Sequence, residues 1–105
     1  MRGNMGALMK QAQRVQANIK KMEADLAALE ITGTAGGGLV TVTVTGKHVP
    51  KAVRISPEAF ADGDTDMLED LVLGALKDAN EKVEATVKTM TAKAAAGMPI
   101  PPGFL

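Results

Sequence analysis

The chain has 105 residues, 46% of them hydrophobic, which is enough for one domain (residues 1–105) with a modest core. The absence of cysteine excludes disulfides, thiolate metal sites and cysteine nucleophiles. The formal net charge is zero, which argues against a generic nucleic-acid-binding domain, since such domains usually carry a basic excess. Neither a signal peptide nor a membrane-length apolar run is present, so we expect a soluble cytoplasmic protein with no membrane partner.

Residues 1–30 are predicted to form a long amphipathic helix that serves as an arm. At 1.5 Å per residue, its apolar-periodic stretch from Asn4 to Leu29 is roughly 37 Å long, whereas a compact domain of this size has a radius of gyration of about 13 Å. The helix should therefore extend beyond a compact monomeric core and protrude from a shared, dimeric body. Its apolar residues recur at alternating steps of three and four, forming a heptad seam: Met5, Leu8, Ala12, Val15, Ile19, Met22, Leu26 and Leu29.

Residues 31–56 are predicted to form a three-stranded antiparallel meander. A short strand around 31–34 is followed by the alternating Val-Thr run of 40–45 and by a second alternation from Val49 to Ile55. Gly46 and Lys47 indicate a tight hairpin turn. Pro50 cannot donate to a strand ladder, so the third strand should begin there or lie at an edge.

Residues 57–65 are predicted to be a loop and residues 66–96 a second long helix, capped by Asp66 with Glu69 as its partner. Its apolar set is Val72, Leu76, Ala79, Val83, Val87, Met90 and Ala94. Residues 97–105 form a Pro-rich tail, which either packs back or recruits a partner, and packing is the favoured interpretation. The expected fold class is therefore α+β, with helical arms protruding from a dimer.

Several apparent chemical sites lack essential parts. The segment 62–66 begins like a calcium loop, but Met67 and Leu73 replace the required glycine and glutamate, so an acidic helix start is the better interpretation. The glycine clusters do not match nucleotide-binding loops, and His48 is interpreted as an exposed turn residue. No acid, base, nucleophile or metal set can be assembled, so we predict a non-enzyme without cofactor or metal.

Residues 1–21 carry five cations and no acidic residue. Lys10, Arg14 and Lys21 fall in one stripe on the side away from the apolar seam, with Lys20 adjacent. Unopposed cations of this kind favour a polyanionic partner over a merely solvated exterior. In the second helix the lysines are interleaved with acidic residues, which favours a solvated face.

The low aromatic content argues against one class of polyanion, single-stranded nucleic acid. There is no Trp or Tyr, and Phe60 and Phe104 lie outside the predicted sheet, so a stacking platform for single strands is absent. Phosphate contacts to duplex DNA remain, with weak sequence preference and strong salt dependence.

The sequence resembles the YbaB/EbfC family of nucleoid-associated proteins over nearly its whole length. The segments that carry the resemblance are 8–13, 32–33, 37–40 with Val42, 67–72, 97–98 and 101–104. The resemblance implies a homodimer with an α/β core and tweezer-like arms. It further implies nucleoid association through DNA binding, with effects on DNA organisation and gene expression.

The family's DNA contacts are attributed to the arm helices, and this resemblance directs attention to six residues. They are Lys10, Arg14, Lys20 and Lys21 on the first helix and Lys88 and Lys93 on the second. The alternative hypothesis is a dimeric scaffold or adaptor that grips a protein partner between its arms, using the heptad seam and the Pro-rich tail.

Overall fold

The structure is a computed structural model that describes residues 2–96, with side chains for residues 4–96. Its elements are α1 (Arg2–Ala28), β1 (Glu30–Ala35), β2 (Val40–Thr45), β3 (Pro50–Ile55), a 3-10 turn (Pro57–Phe60) and α2 (Thr65–Ala95). The predicted α+β order of helix, three-stranded meander and helix is confirmed. The predicted tail, residues 97–105, lies outside the described residues.

The sheet has the strand order β1-β2-β3, and both pairings are antiparallel. Val42 lies opposite Gly33 of β1 and opposite Val53 of β3. Because side chains alternate along a strand, Val40, Val42 and Val44 all point to one face, where they are buried in the main core. β3 begins at Pro50 and is an edge strand, as the missing proline N–H predicted.

The connection between β2 and β3 differs from the predicted tight turn at Gly46 and Lys47. β2 ends at Thr45 and β3 begins at Pro50, so the loop has four residues. The buried Thr45 organises it, because its Oγ1 accepts hydrogen bonds from the N–H groups of Lys47 (3.1 Å) and Val49 (3.2 Å). His48 adopts a positive φ of 63°, which closes the longer loop.

α2 packs its first half on one face of β1 and β2. The contact is close because Gly33 lies directly under the helix, opposite two alanines. A Cβ on Gly33 would meet the carbonyl oxygen of Ala75 and lie 2.6 Å from Cβ of Ala79. Small residues on both surfaces therefore let the helix backbone approach the strand.

α2 begins one residue earlier than predicted, and its N-cap is Asp64, two residues before the predicted Asp66. The Asp64 carboxylate accepts a hydrogen bond from the N–H of Met67 at 3.1 Å. A cap residue needs an extended backbone, which Asp64 has (φ −82°, ψ 99°) after the left-handed Gly63. Asp66 instead lies in the first helical turn, where its charge favours the helix dipole.

The second half of α2 packs against the C-terminal part of α1. Met22 and Leu26 of α1 form a second buried cluster with Met90 and Ala94 of α2. The end of α1 is fastened to the sheet, since the N–H of Gly46 donates to the carbonyl groups of Leu26 and Leu29. α1 is thereby held at a single end.

The molecule is elongated, as the predicted helix lengths required. It measures 73 Å along its longest axis and 19 and 17 Å along the other two. Its radius of gyration is 19.4 Å, against about 13 Å for a compact chain of this length. Within the part of the chain that the structure describes, no helix is long and apolar enough to cross a membrane.

One side of the fold leaves an apolar surface uncovered. Val53 and Ile55 lie on the same face of the sheet as the buried valines of β2, yet Val53 is 57% exposed, because α2 does not extend over β3. Leu73 and Leu76 lie on the neighbouring flank of α2, and both are exposed although Leu76 belongs to the predicted apolar set of the helix. We call these four residues the open surface.

Candidate nucleic-acid interface

The N-terminal part of α1 is a single helix that projects from the rest of the molecule. We call residues 4–21 the arm, because Met22 is the first fully buried residue of α1. Within the arm, the seam residues Met5 and Leu8 are 68% and 65% exposed. Val15 and Ile19 are half-buried, so the seam becomes covered only as it approaches α2.

Three cations form a basic stripe along the arm: Lys10, Arg14 and Lys21. All three are exposed, and steps of four and seven residues keep them on one side of the helix, opposite the apolar seam. Within residues 4–96, none of them forms an ion pair or a side-chain hydrogen bond. Their side chains are therefore available to an external anion.

The spacing of the stripe allows its charges to act together. Along the helix axis, Lys10 and Arg14 are about 6 Å apart, and Arg14 and Lys21 about 10 Å apart. These separations are comparable with the Debye length of about 8 Å at physiological ionic strength. α1 has no acidic residue before Glu23, so no carboxylate of the arm itself offsets the charge of these cations.

Lys20 is also exposed but lies on the face next to the stripe. There it lines a shallow depression of about 470 Å³ together with Gln13, Gln16, Ala17 and Ile19. Lys20 therefore adds positive charge to the arm but is not part of the basic stripe.

The two candidates on α2 are less well placed. Lys88 is exposed, and it lies on the far side of α2 from Met90, which packs against α1. Lys93 is half-buried and already interacts within the protein. The five-residue step between them places them well apart around the helix, so they do not extend the stripe.

The remaining candidate chemistry does not form a second site in the described residues. His48 is exposed, and the carboxylate of Asp64 is engaged as a helix cap. No group of three His, Cys, Asp or Glu side chains within residues 4–96 is placed to hold a metal ion. Phe60 is exposed in the 3-10 turn, away from the arm, and Phe104 lies outside the described residues.

Two features of the structure were not foreseen from the sequence. One is the open surface, which required knowing how far α2 reaches across the sheet. The other is Lys82, whose Nζ lies 2.9 Å from Asp78 Oδ2 and donates to the carbonyl of Thr32 at 3.2 Å. An i,i+4 acid–base spacing was a weak signal for the ion pair but gave no sign of the strand contact.

Comparison with known proteins identifies the family. The model of the YbaB/EbfC DNA-binding family matches residues 1–98. The chain belongs to this family. The resemblance seen in the sequence is thereby confirmed, and the arm that carries the basic stripe lies within the matched region.

Curated relatives in the family match over almost their full length. A nucleoid-associated protein of Polynucleobacter necessarius subsp. necessarius (strain STIR1) is 51% identical over 104 residues, covering 99% of this chain and 95% of the relative. A nucleoid-associated protein of Xanthomonas axonopodis pv. citri (strain 306) is 48% identical over 104 residues, covering 99% and 96%.

A solved structure supports the fold alone. The crystal structure of an uncharacterized protein from Helicobacter pylori superimposes with a TM-score of 0.67 at 20% sequence identity. The match covers 85% of this chain and 90% of that chain. The helix–meander–helix architecture is thus shared with a solved protein.

Proposed function

We propose that this protein is a nucleoid-associated homodimer that binds duplex DNA through its arms, mainly by contacts to phosphate groups. The observation that carries the proposal is the basic stripe, three exposed cations that have no partner within residues 4–96, on a helix that has no acidic residue before Glu23. Membership of a DNA-binding family and the names of the relatives support the same interpretation.

The chemistry of the arm favours contacts to phosphates over base recognition. Lysine and arginine side chains on an exposed helix can reach backbone oxygens of any duplex sequence. The stripe and Lys20 supply four cations per arm, and hence eight in a homodimer, which corresponds to roughly six to eight neutralised phosphates. With no catalytic set in the described residues, the proposed role is architectural and non-enzymatic, with effects on DNA organisation and gene expression.

The open surface supports the homodimer. It lies beside β3, whose outer edge is not paired with any strand of the described residues, so apolar side chains and backbone groups without a strand partner there occur together. A groove of about 300 Å³ continues it, lined by Val44, His48, Pro50, Leu76, Ala79 and Asn80. A second copy related by a two-fold axis would present the same surface, so the open surfaces of the two copies would cover each other. Each arm would then project from a common body.

The DNA proposal is tested by measuring Kd for a duplex across a range of salt concentrations. We expect log K to fall with log salt with a slope near −5 to −7, because about six to eight counterions are released. Replacing Lys10, Arg14 and Lys21 with Ala should reduce the slope to about −2, since two of eight cations would remain per homodimer.

The matched control replaces Lys47, Lys51 and Lys77 with Ala. These lysines are exposed outside the arm, so the control removes the same charge without touching the stripe. Because Lys51 lies on β3, light scattering must first show that the control keeps the wild-type mass. DNA binding that weakens equally in both variants would show that net charge matters and the stripe does not. A wild-type affinity that does not change with salt would reject the phosphate mechanism altogether.

The homodimer is tested by light scattering. The chain has a mass of 10.9 kDa, and we expect twice this mass in solution. Leu76→Glu should shift the protein towards the monomer, because a charge would be buried in the interface. Met5→Glu, on the exposed seam of the arm, should leave the mass unchanged, and a monomeric wild type would contradict the proposed assembly.

A further inference from the structure

Within residues 4–96, side chains of α2 form hydrogen bonds with the backbone at one edge of the sheet but not at the other. With the order β1-β2-β3, β1 and β3 each have one unpaired edge, which is a template for adding another strand. At the edge of β1, side chains of α2 form hydrogen bonds with one backbone N–H and one backbone carbonyl group. At β3, no side chain within residues 4–96 forms a hydrogen bond with a backbone group of residues 50–55.

The contacts at β1 come from two residues one helical turn apart. The N–H of Thr34 donates to Asp78 Oδ2 at 2.9 Å, and Lys82 Nζ donates to the carbonyl oxygen of Thr32 at 3.2 Å. Asp78 and Lys82 also pair with each other at 2.9 Å. One N–H group and one carbonyl group on the outer edge of β1 are therefore already hydrogen-bonded to side chains of α2.

The opposite flank of α2 carries different chemistry. Where Asp78 and Lys82 reach over β1, the side towards β3 presents Leu76 and Asn80, which line the groove beside Pro50. Leu73 precedes Leu76 by three residues and shares that flank. One flank of the helix thus blocks an edge with charge, and the other leaves an apolar surface beside a free edge.

We propose that the Asp78–Lys82 pair is an edge guard, which prevents strand addition at β1 and so restricts assembly of copies of this chain to the β3 side. The inference rests on the proposed homodimer and adds the residues that limit it to two copies. An open β1 edge would give each copy two different docking edges, and such head-to-tail contacts produce open-ended assemblies instead of closed dimers.

The test compares the mass of Asp78→Ala/Lys82→Ala with that of the wild type by light scattering at increasing protein concentration. We expect the double variant to rise to at least twice the wild-type mass. The matched control, Lys77→Ala/Glu81→Ala, removes an exposed lysine and an exposed acid with the same i,i+4 spacing from the solvent side of α2. It should keep the wild-type mass.

A rescue variant separates edge blocking from a general loss of structure. Thr34→Pro, added to the double variant, removes the N–H that an incoming strand would bind and should restore the wild-type mass. Lys82→Ala alone frees the Thr32 carbonyl while Asp78 still binds Thr34, so it should give a smaller rise. This single variant provides the test if the double variant fails to fold by circular dichroism.

The outcomes distinguish the guard from the homodimer. A double variant that stays folded and keeps the wild-type mass at every concentration overturns the guard, as does a rise in mass that Thr34→Pro does not reverse. A monomeric wild type overturns the proposed homodimer. In that case, a gain of mass in the double variant alone would still show that the pair blocks an edge.

Discussion

The two halves of α1 carry the same heptad seam, but only one half is packed. In the docked half, Met22 and Leu26 are buried against Met90 and Ala94 of α2. In the arm, Met5 and Leu8 continue the same seam into solvent. The comparison shows that apolar periodicity establishes the helix and the orientation of its face, whereas burial depends on how far the partner helix reaches.

The largest expected difference between the halves is in the cost of removing a leucine. Leu26 is 2% exposed, so Leu26→Ala should lower the free energy of unfolding by about 2–5 kcal/mol through lost burial and a cavity. Leu8→Ala, on the exposed seam, should change it by less than about 0.5 kcal/mol. Urea denaturation of both variants measures the contrast, and equal losses would mean that the arm is packed in solution.

A pair of glycines should sharpen the contrast further. Gly33→Ala should destabilise the protein by about 1–3 kcal/mol, because the new Cβ would collide with the backbone of α2. Gly6→Ala, in the arm, meets no atom within 4 Å and should favour the helix by up to about 1 kcal/mol.

Thermal unfolding measures the Gly33 effect, and amide hydrogen exchange in the arm measures the Gly6 effect. An unchanged melting temperature of Gly33→Ala would contradict the close approach of α2 to β1. Slower exchange in the arm of Gly6→Ala is the expected sign that the arm is helical without a packed neighbour.

The smallest expected effect concerns pH. The hydrogen bond from Lys82, with a further one from the Thr34 N–H, lowers the pKa of Asp78 below its ordinary value. A carboxylate with a lowered folded pKa adds stability above its unfolded pKa and loses it as pH falls through the folded value. The arm has no carboxylate, so this acid-dependent contribution belongs to the rest of the molecule alone.

Denaturant unfolding at a series of acidic pH values, with Asp78→Asn as the comparison, measures this contribution. At higher pH the wild type should have the larger free energy of unfolding, and this difference from Asp78→Asn should shrink as the pH falls. An advantage that persisted at the lowest pH would show that the amide and the carboxylate differ for a reason other than charge.

Most of the candidate site was predictable, because it lies on one helix. The four-residue and seven-residue steps between Lys10, Arg14 and Lys21 define a stripe from local geometry alone. On α2 the same reasoning was insufficient. It gave no sign that Lys82 is occupied at the edge of β1 or that Lys93 is half-buried, because both depend on contacts across the fold.

The sequence by itself determined the order of elements, the lengths of both helices and the positive side of the arm. These properties follow from periodicity and spacing within single segments, where neighbouring residues share one backbone geometry. Only the tertiary structure decided that Leu76 and Val53 are exposed, that Asp64 caps α2, and that one edge of the sheet is covered while the other is open. These features depend on where α2 starts and on its covering β1 and β2 but not β3, a relation between segments that no local pattern contains.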